Sequence, residues 1–170
     1  MKRYFISFFL VVVSLSGCTT GSHNKDRANV ALIEKYIQAV EKMDYNTMAD
    51  LLDDNYIGYG PSYGDSITKE EAMENWKYNI EHLYKSIHYD RSRNVAVTVP
   101  DGPNKGEWVS NWGQVKIVYK NGREEVILWA NSIYQIDHGK IIKSYTFYNE
   151  ADALRQMGYI FCRPEDLKND

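Results

Sequence analysis

The stretch from Glu107 to Asn149 constrains the fold of this chain more than any other. It holds three long runs rich in Val, Ile, Tyr, Trp and Phe, uninterrupted by proline. Asn121-Gly122 suits the two positive-φ positions of a hairpin turn, and Asp137-His138-Gly139 supplies a second tight reversal. The middle run, Glu124 to Ile136, is apolar in both alternation phases. Val126, Leu128, Ala130, Tyr134 and Ile136 take one phase; Ile127, Trp129 and Ile133 take the other, with Asn131 and Gln135 between them. A strand apolar on both sides is covered on both sides. The run therefore predicts the central strand of a curved antiparallel sheet, one face under helices and the other against more sheet or a partner chain.

The residues before this block read mainly as helices. From Asp26 to Met43, Val30, Ile33, Ile37 and Val40 form one buried stripe, with Tyr36 and Met43 on its flank. Asp44-Tyr45-Asn46 breaks that helix, and Asn46 can cap a second, Thr47 to Leu52, ended by Asp53-Asp54-Asn55. A short strand, Tyr56 to Tyr59, and a Gly/Pro loop through Asp65 lead to the capping box of Thr68 and Glu71. This box opens a third helix to about Tyr84, with Met73, Trp76, Ile80 and Leu83 buried. Ser86 to Val99 is a strand, Pro100 to Gly106 a turn, and Glu150 to Met157 a closing helix stopped by Gly158. Helices first and antiparallel strands after predict a single α+β domain, for which 170 residues suffice.

The first residues read as targeting rather than fold. Lys2 and Arg3 precede an apolar run from Tyr4 to Leu15 that is too short to span a bilayer. Leu15-Ser16-Gly17-Cys18 then resembles the bacterial lipobox; an ordinary signal peptide with a chance cysteine and an uncleaved anchor are the rival readings. The expected organisation is a lipoprotein signal peptide over 1–17, a lipidated flexible tether over 18–25, a domain over 26–160 and a tail over 161–170. Acylation of Cys18 would hold the domain to a bilayer of the bacterial cell envelope. Thr19 lacks the aspartate of inner-membrane retention and leans the expectation to the outer membrane. With Cys18 so used, Cys162 has no disulfide partner and reads as a small buried residue. A net charge of −3, without a basic run beyond the first three residues, argues against nucleic acid as a partner. No metal is expected, since the four histidines lack metal-ligand spacing, and no cofactor, since dinucleotide and phosphate-loop fingerprints are missing.

Two pieces carry a resemblance over nearly all of the predicted domain. IEKYIQAVEKMDYNTMADLLDDNY is similar to the opening helix pair of the nuclear transport factor 2-like superfamily, and YQIDHGKIIKSYTFYNEADALRQMG to the closing hairpin of its SnoaL-like polyketide cyclases. The resemblance implies a cone, the cystatin-like α+β roll, whose curved antiparallel sheet is closed by N-terminal helices around a pocket. It does not imply one function, because this fold hosts isomerases, dehydratases, cyclases, adaptors and binding domains. Matching to ketosteroid isomerase puts Tyr36 and Asn131 at the two oxyanion donors and Gly60 at the general base, so the base is missing. Asp65 on its loop and His88 on the following strand are the substitutes; a solvated turn aspartate and a structural imidazole are the plainer readings. Tyr36 is equally a packing residue. Asn131, an amide within an apolar strand, needs either a pocket or a fixed partner.

With Asn131 inward, alternation turns Ile127, Trp129 and Ile133 inward too. The resemblance adds Ser144, Thr146 and Tyr148 from the last strand, while Tyr59, Trp76 and Trp112 complete the expected lining. Gly113 is a place where a bulge can reset the phase. Three functions follow: a lipid-anchored domain binding a small apolar or aromatic molecule; a cofactor-independent cyclase, isomerase or dehydratase using Tyr36 and Asn131; and a homodimer through a convex face built on Val126, Leu128, Ala130 and Tyr134. The first two require a hollow with the amide of Asn131 turned into it.

Overall fold

A computed structural model describes residues 19–120 and 125–168. The expected signal peptide, the acylation site Cys18 and the Asn121-Gly122 turn lie outside the described residues. Helices α1 (Thr19–Glu41) and α2 (Tyr45–Leu51) come first, followed by strands β1 (Leu52–Tyr59) and β2 (Ser66–Thr68). Helix α3 (Lys69–Tyr78) runs on through a π-helical turn, Asn79–Leu83. Strands β3 (Tyr84–Val99), β4 (Gly106–Tyr119), β5 (Val126–Asp137) and β6 (Lys140–Tyr148) build the sheet, and α4 (Glu150–Gln156) closes it. The strand order is β2-β1-β6-β5-β4-β3, antiparallel except for the parallel pair β1–β6. This is the expected curved sheet with helices on one face, with one parallel neighbour and one short strand, β2, that the sequence reading lacks.

Several boundaries differ for identifiable reasons. Helix α1 begins at Thr19, so the expected tether is already helical; Lys25 joins it to β4 through a 3.1 Å ion pair with Glu107. Asp44, not Asn46, caps α2, its carboxylate accepting from the Thr47 N–H at 3.1 Å and the Thr47 hydroxyl at 2.7 Å. Asp53-Asp54-Asn55 belongs to β1, in the irregular stretch between the paired residues Leu52 and Ile57. The capping box of Thr68 and Glu71 forms, but α3 changes to π geometry at Asn79 and leaves Leu83 exposed. Cys162, expected to be buried, is exposed.

The core lies between α1 and the concave face. Ile33, Ile37, Val40, Met48 and Met73 pack from the helices on Val109, Val115, Ile117, Tyr134, Ile136 and Ile141 of the sheet. The sheet bends where β3 bulges between Asp90 and Arg93, with Arg91 at φ +54°. Gly113 faces that bulge: a Cβ there would lie 3.2 Å from the Ser92 Cα and 3.3 Å from the Asp90 carbonyl oxygen. The irregularity belongs to β3, so the alternation of β4 runs through Gly113 without a reset. Buried Asn111 ties down the bend, donating to the Ser92 hydroxyl at 2.7 Å and the Asn94 side-chain oxygen at 3.0 Å.

Candidate functional site

A cavity of about 290 Å³ opens between the concave face and the helices. Helix α1 supplies Tyr36 and Val40; β1 supplies Tyr56 and Gly58; α3 and its π turn supply Trp76 and Asn79. The floor is formed by Ser132 and Tyr134 of β5 and by Ser144, Thr146 and Tyr148 of β6. The π turn swings Asn79 toward the hollow, consistent with the tendency of such turns to re-aim side chains at functional sites.

Cross-strand pairing organises the polar groups. Ser132 sits opposite Thr146, their hydroxyls 3.1 Å apart, and Tyr134 sits opposite Ser144. The Tyr56 and Ser144 hydroxyls lie 2.6 Å apart in a buried hydrogen bond. Tyr36 packs edge-on against Tyr134, with ring centroids 5.8 Å apart. Burial pushes the Tyr36 hydroxyl well above the ordinary tyrosine value, with smaller contributions from Tyr56, Tyr134 and Tyr89 and a hydrogen bond from Trp76 that eases it. Burial also raises Tyr56 and Tyr134 and brings Tyr89 to about 12. These phenols are therefore neutral at pH 7, able to donate or accept hydrogen bonds but unsuited to proton abstraction. Asp, Glu, His, Lys and Arg are missing from the lining among the described residues.

Of the expected lining residues, Tyr36, Trp76, Ser144, Thr146 and Tyr148 stand around this cavity. Tyr59 lies at its rim, but its ring stacks on Tyr145 of the outer face at 4.7 Å. The β5 assignment is reversed. Val126, Leu128, Ser132, Tyr134 and Ile136 are buried on the concave side, whereas Trp129 is 60% exposed on the convex side. Ile127, Asn131 and Ile133 share that outer face with Trp129. Trp112, paired with Asn131 and 42% exposed, lies there too. Asn131 has a fixed structural partner instead of a pocket: its amide donates to the Ser110 hydroxyl at 3.1 Å and to the Asn111 carbonyl at 3.0 Å. The expected Tyr36–Asn131 donor pair is therefore not assembled.

The substitute bases are displaced as well. His88 is 62% exposed at the edge strand β3, its two ring nitrogens against Glu41 at 2.7 Å and Asp90 at 3.1 Å. Glu41 also accepts the free edge N–H of Tyr89, so this cluster closes the sheet edge outside the cavity. Asp65 is exposed on its loop, outside the lining. Sequence reasoning missed Tyr56, Tyr89, Ser132 and Tyr134. For Ser132 and Tyr134 the signal was present in the second apolar phase of β5, where Ser132 is the polar interruption; Tyr56 on β1 and Tyr89 on β3 had no such signal.

No family model matches the chain, and no curated protein matches it. Solved structures do. The fold is similar to that of an LEH-like epoxide hydrolase from M. tuberculosis, at 13% identity, TM-score 0.59, covering 78% of this chain and 91% of that one. A candidate SnoaL-like polyketide cyclase from Shewanella denitrificans matches at 12% identity and TM-score 0.61, covering 75% of this chain and 95% of that one. A nuclear transport factor 2-like protein from Burkholderia xenovorans matches at 12% identity and TM-score 0.60, covering 78% and 97%. The chain thus has the nuclear transport factor 2-like fold.

Proposed function

We propose that this protein is a binding domain whose cone holds one small, neutral molecule with an apolar or aromatic body and a hydrogen-bonding group. The observation that carries the reading is the uncharged lining: phenols kept protonated by burial, hydroxyls on β5 and β6, and the amide of Asn79. Such a pocket offers hydrogen bonds without the charge that would solvate an ion, so a charged ligand would lose its hydration uncompensated. The volume equals roughly ten waters at about 30 Å³ each, room for a single-ring compound. Lipid on Cys18 would carry the domain on the outer side of a bacterial membrane, and a second copy would cover the apolar convex face.

The test is a pair of probes of one shape and different charge. Benzamide should bind the unaltered domain in calorimetric titration and raise its melting temperature, and benzoate should do neither. Equal binding of benzoate would overturn the neutral-ligand reading, and failure of benzamide and related neutral aromatic compounds would end the binding reading. The enzymatic alternative has less support, because Tyr36 stands without Asn131 and neither Asp65 nor His88 lines the cavity.

A further inference from the structure

A second cavity of about 320 Å³ lies farther along the same concave face, under α4. Tyr89, Ser132, Thr146 and Tyr148 line both. What separates the two is therefore side chains standing on one continuous floor, with the Ser132–Thr146 hydroxyl pair common to both halves. The walls differ in chemistry. The first half is ringed by phenols, hydroxyls and the amides of Asn75 and Asn79; the second adds more aliphatic groups, among them Ile87, Val115, Leu128, Leu154 and Met157, with Tyr84 and Tyr119 on its walls and the Glu150 carboxylate on its α4 side. Its roof is the seven-residue α4, which the Asn149 side chain caps by accepting from the Asp152 N–H at 3.1 Å. Gln156 fastens that roof to β5, accepting from the Ile127 N–H at 2.9 Å and donating to the Ile127 carbonyl at 2.8 Å.

We propose that the two cavities are the head and tail compartments of one site, and that its ligand is elongated and amphipathic: a neutral hydrogen-bonding ring among the tyrosines and an unbranched aliphatic chain under α4. This rests on the binding reading above and extends it. The ring compartment sets polarity, and the compartment under α4 sets length. Tyr89, Ser132, Thr146 and Tyr148 stand on the boundary between the two.

The experiment is a chain-length series of para-alkylbenzamides, from benzamide itself to the nonyl compound, titrated against the unaltered protein. Each buried methylene should tighten binding about fourfold until the compartment is full, after which the gain should stop. Two variants place bulk under α4 at residues that line the second cavity and not the first, Leu154→Trp and Met157→Trp. Either should leave benzamide affinity unchanged and flatten the series, and retained benzamide binding shows that the variant is folded. If benzamide binds and lengthening the chain brings nothing, the tail compartment is refuted while the binding reading stands. If the gain persists in both variants, the chain lies elsewhere, such as on the convex face, and the inference is overturned. Should neither variant fold, the series on the unaltered protein decides by its plateau: gain without limit refutes a closed compartment. Failure of benzamide and its whole series removes the inference together with the reading beneath it.

Discussion

Gly58 sits where the cavity's hydrogen-bond network has least room. A Cβ at this position would fall 2.5 Å from the Tyr56 hydroxyl oxygen, 3.1 Å from its Cζ and 3.2 Å from its Cε1. The Tyr56 ring cannot swing away freely, because it is 7% exposed and its hydroxyl is held by Ser144. Gly58→Ala must therefore displace the ring and stretch that bond, an overpacking cost of about 2 kcal/mol. For a domain of this size that corresponds to a fall in melting temperature of roughly 4–8 °C. Tyr56→Phe alone should cost about 1 kcal/mol, since it leaves the Ser144 hydroxyl without this partner. The double variant removes the oxygen that makes the 2.5 Å contact, so the two costs should fall short of additivity by at least about 1 kcal/mol. Urea denaturation of the four proteins at pH 7 measures the cycle, with an unchanged m value as the check that the unfolded state is not what moved. A Gly58→Ala protein within about 0.5 kcal/mol of the parent would refute the reasoning, as would costs that simply add.

Three further outcomes are expected. Tyr36, Tyr56 and Tyr134 are 8%, 7% and 7% exposed, and burial raises each hydroxyl in the folded state. The folded chain then holds these protons more tightly than the unfolded one, so stability is intact below about pH 10, where the unfolded phenols begin to ionise, and is lost as pH rises above it. Phenolate absorbance and loss of near-ultraviolet dichroism should appear together; phenolate formed by these three in a still-native protein would contradict their burial. On the convex face, Trp112→Glu with Trp129→Glu should convert a dimer into a monomer in light scattering and remove the concentration dependence of its melting temperature, and a parent that is monomeric at high concentration would remove that interface. Cys18→Ser should abolish palmitate incorporation and release the protein from the membrane fraction of a bacterial host; a variant that stays membrane-bound would point to an uncleaved anchor.

Much of the fold was legible because its signals are local and redundant. The α1 stripe is a period of 3.6, the capping box of Thr68 and Glu71 is a four-residue pattern, and the β4–β6 block is long and free of proline. Boundaries blurred where tertiary contacts override composition. Asp53-Asp54-Asn55 looks like the end of a helix, yet it occupies the part of β1 between its two paired stretches, where polar side chains can face solvent. Neither the π turn at Asn79 nor the parallel pairing of β1 with β6 has a pattern in single residues that announces it.

The site was half legible, and one residue accounts for the other half. The second reversal is tight, with His138 at φ +46° and Gly139 at φ +74°, and Asp137 pairs with Lys140. An uninterrupted hairpin closed that way would set Ser144 opposite Ile133, so inward hydroxyls on β6 would require Ile133, Asn131 and Trp129 inward on β5. That assignment is self-consistent and wrong. The register slips between Gln135 and Ile136, Ile142 is passed over, and Ser144 faces Tyr134 instead. Because side chains alternate with period two, a slip of one residue exchanges the whole face of β5. Both phases of β5 are apolar, so hydrophobicity could not detect the exchange. The polar interruptions could: Asn111 and Ser132, paired across β4 and β5, are the buried amide and hydroxyl of the concave side. A buried polar residue in an apolar strand does demand a partner, but the demand falls on whichever phase is covered, and here the bulge at Ile142 decides which phase that is.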